Sequence, residues 1–243
     1  GDGRHFWPRP RGRAGAWSVS PYLGPRNLTA SLAWTWHHPS GRFGTVIQGG
    51  ALIDEASNVY LTSIEAVRKF SPDGRVLWTF DAPTAFSNAA SINGASLYVM
   101  DANGTLLALE LERGTARWRS QVAASAGRDI SSAEAHSGIV LASAEMGPNG
   151  ALGGSCEVVA VNSSTGDVMW RFRPDSQLWN FMPMFTGNGT FVFQDQIGGV
   201  YHLGLADGQL IWRAGHRGRW AETWCDGGTV LGPNGVVYAV SSF

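Results

Sequence analysis

Two aspartates lie where side chains of their type could do chemistry. Asp195 in "FQDQIGG" and Asp226 in "WCDGG" occupy corresponding places in two successive stretches of the chain. If the two stretches lie side by side in the fold, their carboxylates could coordinate a ligand together. In glycine-rich turns the same side chains commonly accept hydrogen bonds from nearby backbone N–H groups. We expect this capping role for both aspartates and keep ligand binding as the alternative.

The histidines and cysteines lack the spacing of a metal site. His37 and His38 are adjacent on a predicted strand, so they point to opposite faces and cannot chelate one ion together. Cys156 and Cys225 lie 69 residues apart, which leaves both two separate thiols and a single disulfide open. The other histidines are scattered: His5, His136, His202 and His216. The sequence therefore predicts no metal site, no cofactor site and no catalytic residue.

Four further stretches have both a structural and a functional interpretation. The turns "SPDG" and "LADG" lack the twelve-residue calcium loop with its closing glutamate. The stretch "MGPNGALGGS" lacks the ending of a phosphate loop, and we interpret it as an elongated hairpin, with a partner-binding loop as the alternative. The cluster "RWAETW", with Trp179, favours packing between units over a surface that stacks on a ligand.

A repeat of glycine and tryptophan defines the elements that position these residues. In four segments a glycine stands four residues before a tryptophan, and "LAWTWHHP" adds a fifth tryptophan by its alignment with "VLWTFDAP". Successive tryptophans lie 44, 40, 52 and 42 residues apart. The residues of this structural repeat are Trp34, Gly74, Trp78, Gly114, Trp118, Gly166, Trp170, Gly208 and Trp212.

A period in the low forties is long enough for four short strands and their connections. The glycine closes the hairpin of the last two strands because it adopts positive φ without steric cost. Its fixed distance from the tryptophan sets the face on which the indole lies, and we expect that indole to wedge against the next unit. The sequence thus predicts an all-β fold, a β-propeller of four-stranded antiparallel blades with about five units.

The predicted boundaries follow the tryptophans. Residues 1–33 form an N-terminal arm, and residues 34–243 form the propeller. Its units cover about 34–78, 79–118, 119–170, 171–212 and 213–243, the last incomplete. The tryptophan expected after Tyr238 would fall beyond residue 243, so we expect the propeller to continue, with closure by the Trp34 strand as the alternative. The basic stretch "RPRGR" is interpreted as part of a solvated arm, or alternatively as a surface for an acidic partner.

Composition narrows the class of function. A net charge of −1 argues against nucleic-acid binding, and no apolar run is long enough for a transmembrane helix. With 44% hydrophobic and 15% charged residues, the chain is expected to fold rather than remain disordered. Sequons for N-glycosylation favour an extracytoplasmic location, secreted or in an organelle lumen. They begin at Asn27, Asn103, Asn162 and Asn188.

The repeat resembles that of the pyrroloquinoline-quinone (PQQ)-like propeller superfamily. In "VVAVNSSTGDVMW" the matching residues are Thr165, Gly166 and Trp170, while Asn162 stands where the family usually has aspartate. The N-terminal "FWPRPRGRAG" is similar to the family's W-P-x-x-R-G lead-in. The residues of that lead-in are Trp7, Pro8, Arg11 and Gly12.

The resemblance implies several functions. Some members are dehydrogenases of about eight blades that hold PQQ and Ca²⁺ on the axis, and the alcohol dehydrogenases among them carry adjacent cysteines. This chain shows five units and distant cysteines. Other members bind no quinone and serve as protein-binding platforms in larger assemblies. We therefore expect a non-catalytic scaffold or accessory subunit with protein partners; the alternatives are a fragment of a PQQ/Ca²⁺-dependent dehydrogenase and a small propeller lectin.

Overall fold

The computed structural model describes all residues except 1–3, 15–17, 21, 127–131, 145–155, 216–224, 226–227 and 242–243. The described residues form β-strands and no helix. Blade 1 contains β1 (Leu52–Ile53), β2 (Val59–Thr62), β3 (Ala66–Phe70) and β4 (Val76–Asp81). Blade 2 contains β5 (Ser91–Asn93), β6 (Ser96–Met100), β7 (Thr105–Glu110) and β8 (Ala116–Gln121). Blade 3 contains β9 (Glu134–His136), β10 (Ile139–Ala144), β11 (Glu157–Asn162) and β12 (Val168–Phe172). Blade 4 contains β13 (Met184–Phe185), β14 (Thr190–Gln194), β15 (Gly199–Gly204) and β16 (Leu210–Gly215); blade 5 contains β17 (Thr229–Leu231) and β18 (Val237–Ala239).

Each blade is an antiparallel meander in which consecutive strands pair in sequence order. This confirms the predicted all-β, propeller-like fold, although the described sheets do not close into a ring. The stretch "SNVYLTSIEAVRKF", which has some helical periodicity, forms β2 and β3. Each sheet runs from an inner to an outer strand rather than from one tryptophan to the next, and the predicted boundary at residue 33 stays a prediction.

The outer hairpin of each four-stranded blade has one recurring irregularity. The pairing register shifts beside the residue that faces the tryptophan: Lys69 in blade 1, Ala108 in blade 2, Ala160 in blade 3 and His202 in blade 4. A β-bulge adds one residue to a strand and increases its local twist. The irregularity thus recurs at the same place, next to the residue opposite the tryptophan, in all of the four-stranded blades.

The apolar core lies between blades rather than within them. One cluster joins blades 1 and 2 through residues such as Val67 and Leu107. A second joins blades 2 and 3, a third joins blades 3 and 4, and a smaller one joins blade 4 to β17 and β18. A four-stranded sheet has two faces to cover, so its stability depends on its neighbours.

Candidate functional site

The repeated tryptophans and glycines meet across the boundaries between units. Four of the five repeated indoles lie on the glycine turn of the following unit, where a Cβ atom would collide with the ring. An added Cβ would lie 2.6 Å from Trp34 at Gly74, 2.5 Å from Trp78 at Gly114, 2.8 Å from Trp118 at Gly166 and 2.6 Å from Trp170 at Gly208. These glycines therefore provide both a positive φ and a flat surface for the ring.

We call the contact between an indole and the glycine turn of the next unit a joint. A hydrogen bond completes each joint. The indole N–H donates to a backbone carbonyl in the turn on which the ring lies. The donor–acceptor distances are 3.0 Å for Trp34 to Pro72, 3.1 Å for Trp78 to Leu111, 2.9 Å for Trp118 to Ser163 and 3.0 Å for Trp170 to Leu205. Buried indoles usually need such a partner for their N–H group. Trp212 is 38% exposed, and its ring centroid is 5.0 Å from that of His202 in the same blade.

We expect Gly166→Ala to destabilise the protein more than Gly138→Ala. The two glycines have nearly the same φ, +83° and +82°, so alanine costs about 1–2 kcal/mol of backbone strain at both. Gly138 has open space around it, whereas Gly166 lies against the Trp118 ring. Overlap with the ring adds about 1–3 kcal/mol. Denaturant unfolding of both variants measures the difference, and equal losses would show that the ring does not depend on a bare glycine.

The N-terminal segment lies across the first strands of four blades. We call residues 5–14 the axial segment. Trp7 exchanges two backbone hydrogen bonds with Ile53 of β1, at 3.0 and 2.9 Å, and the Pro8 carbonyl accepts one from Ile92 of β5 at 2.7 Å. Further along, the Ala14 carbonyl accepts one from Phe185 of β13 at 2.8 Å. The axial segment thus satisfies inner edges that face the axis of the propeller.

Arg9 anchors the axial segment to blade 3. Its side chain is 1% exposed, and Nη2 donates to the Ala135 carbonyl at 2.8 Å. Nη1 lies 3.5 Å from the buried carboxylate of Glu134, and the guanidinium stands 4.8 Å from the centre of the Phe185 ring. The interpretation of "RPRGR" as a solvated stretch is therefore wrong for Arg9. A buried arginine requires a carboxylate partner, and this one lies 125 residues away in the sequence.

Asp195 takes the capping role. Its Oδ1 accepts hydrogen bonds from the backbone N–H groups of Ile197 and Gly199, and its Oδ2 accepts one from the Tyr201 hydroxyl at 2.7 Å. Asp226 lies outside the described residues. Asp54 makes a matching set in blade 1, with Tyr60 as its hydroxyl partner at 2.8 Å. Asp54 and Tyr60 are not among the candidates named from the sequence, although an aspartate six residues before a tyrosine occurs at both places.

The two capping aspartates have pKa values shifted in opposite directions. Burial is the largest influence on both and raises the pKa. At Asp195 burial prevails, so its pKa lies above the usual 3.8. At Asp54 the hydrogen bonds from Asn58, Tyr60 and the backbone of Ala56 together outweigh burial, and its pKa is lowered.

These shifts predict opposite pH dependences for two matched variants. A lowered folded-state pKa stabilises the fold above the unfolded pKa, and this stabilisation is lost as the pH falls. A raised folded-state pKa has the reverse sign, so its contribution is lost as the pH rises through the folded-state pKa. Between about pH 3 and 7, the stability difference between the parent and Asp54→Asn should grow with pH, while that for Asp195→Asn should shrink. Unfolding curves at several pH values measure both trends, and two parallel trends would contradict the assignment.

A groove of about 400 Å³ opens between blades 1 and 2 beside the axial segment. Lys69 lines it as a nearly buried side chain whose Nζ donates to the Leu111 carbonyl at 2.8 Å. Burial lowers the pKa of Lys69, while the charges of Asp54 and Glu112 oppose that shift. Lys69 occupies the place of Ala108 and Ala160 in the next two blades. The groove therefore has a charged side chain where blades 2 and 3 have alanine.

The other predicted candidates are dispersed. His38 faces blade 1 and lies 3.3 Å from Glu65, whereas the neighbouring His37 is exposed. Cys225 is buried beside Gln194, and no disulfide joins it to Cys156. In the described part of the chain no group of three or more histidine, cysteine or acidic residues is arranged to hold a metal ion. The stretches "MGPNGALGGS" and "RWAETW" lie outside the described residues.

Among the described residues, no helix is long and apolar enough to cross a membrane.

The sheets and the joints between them define a propeller of four-stranded blades, in which tryptophan side chains pack on the glycine turns of the next unit. The family model described as outer membrane protein assembly factor BamB matches residues 31–172 and 63–242. The chain therefore belongs to this family of PQQ-like propeller repeats. No curated protein matches the sequence at a significant level.

Solved structures of two dehydrogenases share the fold. The quinohemoprotein alcohol dehydrogenase from Comamonas testosteroni is 14% identical with a TM-score of 0.68, and the match covers 88% of this chain and 41% of that one. A europium-containing methanol dehydrogenase is 13% identical with a TM-score of 0.68, covering 88% of this chain and 49% of that one. The chain thus spans less than half the length of these structures.

Proposed function

We propose that this protein is a non-catalytic PQQ-like propeller that binds other proteins as a scaffold or accessory subunit of a larger, extracytoplasmic assembly. The observation that carries the proposal is a concentration of exposed apolar side chains between residues 19 and 47. Leu23 is 99% exposed, Phe43 88% and Leu28 78%. Large exposed apolar areas commonly mark protein interaction sites, and we assign this stretch to one.

The arrangement of residues 34–38 supports a preorganised binding surface. Trp34 and Trp36 pack against Phe70 of blade 1, with ring centroids 5.7 and 5.5 Å away. Thr35 and His37, on the opposite side of this extended stretch, are exposed. Rigid blades thus fix one side of the stretch while the other side faces solvent. The description of the matching family as an assembly factor agrees with such a role, and the proposal includes no cofactor.

Site-specific photo-crosslinking in the native cell tests the proposal. A photoreactive residue placed at Leu23 or Phe43 should form crosslinks to another protein, whereas the same residue at Arg75, an exposed position on a turn of blade 1, should not. The double variant Leu23→Asp/Phe43→Asp should lose the partner during purification because both side chains would leave an apolar contact.

Two outcomes would contradict the scaffold. Equal crosslinking from Arg75 would show that residues 19–47 are not a specific surface. Saturable binding of PQQ with Ca²⁺, followed by the absorbance of the quinone, would instead favour the dehydrogenase.

A further inference from the structure

The axial segment contacts all five blades. Beyond its backbone contacts with β1, β5 and β13 and the anchoring of Arg9 on blade 3, His5 hydrogen-bonds to the Gly94 carbonyl of blade 2 at 2.9 Å. The Arg11 guanidinium lies against Gly228, directly before β17 of blade 5. A ten-residue stretch therefore meets every described sheet, although none of the sheets includes it as a strand.

Part of this recognition depends on side chains. The backbone contacts of Trp7, Pro8 and Ala14 would accept many sequences in extended form. Arg9 is different, because one planar guanidinium contacts a carboxylate, a carbonyl and an aromatic face together. A lysine ammonium cannot reproduce that geometry. The site therefore selects for arginine at this one position.

The axial segment also has a shape of its own. The Gly12 N–H donates to the Arg9 carbonyl at 2.9 Å and closes a turn. Pro10 stands second in this turn and Gly12 fourth, and Gly12 has a φ of +83°. A Cβ at Gly12 would lie 3.3 Å from the Trp7 ring, so the turn folds over that indole. A ligand that is ordered before it binds loses less conformational entropy.

In the described part of the connection from the axial segment to blade 1, Leu23 and Pro25 are exposed, and the Cβ position of Gly24 is open to solvent. The Tyr22 ring packs edge-on against Phe6 of the axial segment itself, at 5.9 Å between ring centroids. We infer that the inner face of the propeller is a binding site for an extended peptide carrying tryptophan, proline and a buried arginine. Residues 5–14 are its resident ligand, and the site binds them without needing the covalent connection. This inference does not depend on the proposed scaffold function.

Cleavage of the full chain tests the inference. A recognition sequence for a specific protease is inserted between Gly24 and Pro25, and the cut protein passes through gel filtration under native conditions. The N-terminal fragment should elute with the propeller. Synthetic peptides of residues 4–14 are then added as competitors in three forms: the parent sequence, Arg9→Lys and Arg13→Lys. Arg13 is exposed, so its substitution is the matched control.

The parent and Arg13→Lys peptides should displace the fragment at similar concentrations, within about twofold, because Arg13 makes no buried contact. The Arg9→Lys peptide should require at least about a tenfold higher concentration, because it loses the guanidinium geometry. Because only the peptides differ, no variant has to fold. Separate elution of the fragment, failure of every peptide to displace it, or equal competition by the Arg9→Lys and Arg13→Lys peptides would each overturn the inference.

Discussion

Replacing Arg9 with leucine is expected to lower the free energy of unfolding by about 3–5 kcal/mol, the cost of breaking a buried ion pair. The substitution leaves the Glu134 carboxylate buried without its cation and removes one of the two side-chain donors to the Ala135 carbonyl, the other being Asn93. It also releases the axial segment from blade 3. Chemical denaturation followed by tryptophan fluorescence measures the loss, since the chain contains 11 tryptophans.

Two further variants make this prediction specific. Arg13→Leu changes an exposed arginine of the same stretch and should stay within about 0.5 kcal/mol of the parent. The double variant Arg9→Leu/Glu134→Leu should recover much of the loss, because apolar side chains of similar volume can replace a buried ion pair. If Arg9→Leu cost no more than Arg13→Leu, the buried pair would contribute nothing to stability.

Trp118→Ala should cost about 3–5 kcal/mol, the range for removing a large aromatic side chain from a packed site. The indole packs on the Gly166 turn of blade 3, and its N–H donates to the Ser163 carbonyl. Trp118→Phe keeps a ring in the joint but loses the donor, so it should cost about 1 kcal/mol for the hydrogen bond and a further amount for the smaller ring. Denaturant unfolding of the two variants gives both values.

Hydrogen exchange locates the effect of Trp118→Ala. Because the indole joins two blades, amides of β11 and β12 in blade 3 should lose protection together with those of β8 in blade 2. Loss confined to β8 would mean that the ring stabilises only its own sheet, contrary to the contacts of the joint.

The repeated glycines and tryptophans could be predicted because the residues that determine each turn and each face lie close together in the sequence. Gly166 and Trp170 belong to one hairpin, where positive φ and the alternation of side chains fix turn and face. The period then places each unit against the next. The pattern also predicts that the indole wedges against the next unit. What it left open is the element that receives the ring there, which for Trp118 is the turn at Gly166.

The axial segment could not be predicted in the same way. Neither Arg9 nor Glu134 belongs to the repeated positions, and no local sequence pattern connects the two. A short basic run usually forms a solvated surface, and for Arg9 this rule predicts the wrong environment. Lys69 did carry a signal, because it replaces the alanine found at the same register in blades 2 and 3. A charged residue where a repeat has a small one is worth examining in other proteins of this kind.

The direction of the joints has a consequence for how such a molecule can change in evolution. Four of the five repeated indoles rest on the turn one unit downstream, so excision of the stretch between two successive turn glycines brings an upstream tryptophan to an equivalent turn. Tandem duplication of that stretch does the same. Blade number can therefore rise or fall by recombination without the invention of a new interface. The axial segment makes different contacts with each blade, and it therefore restricts which blades such events can remove.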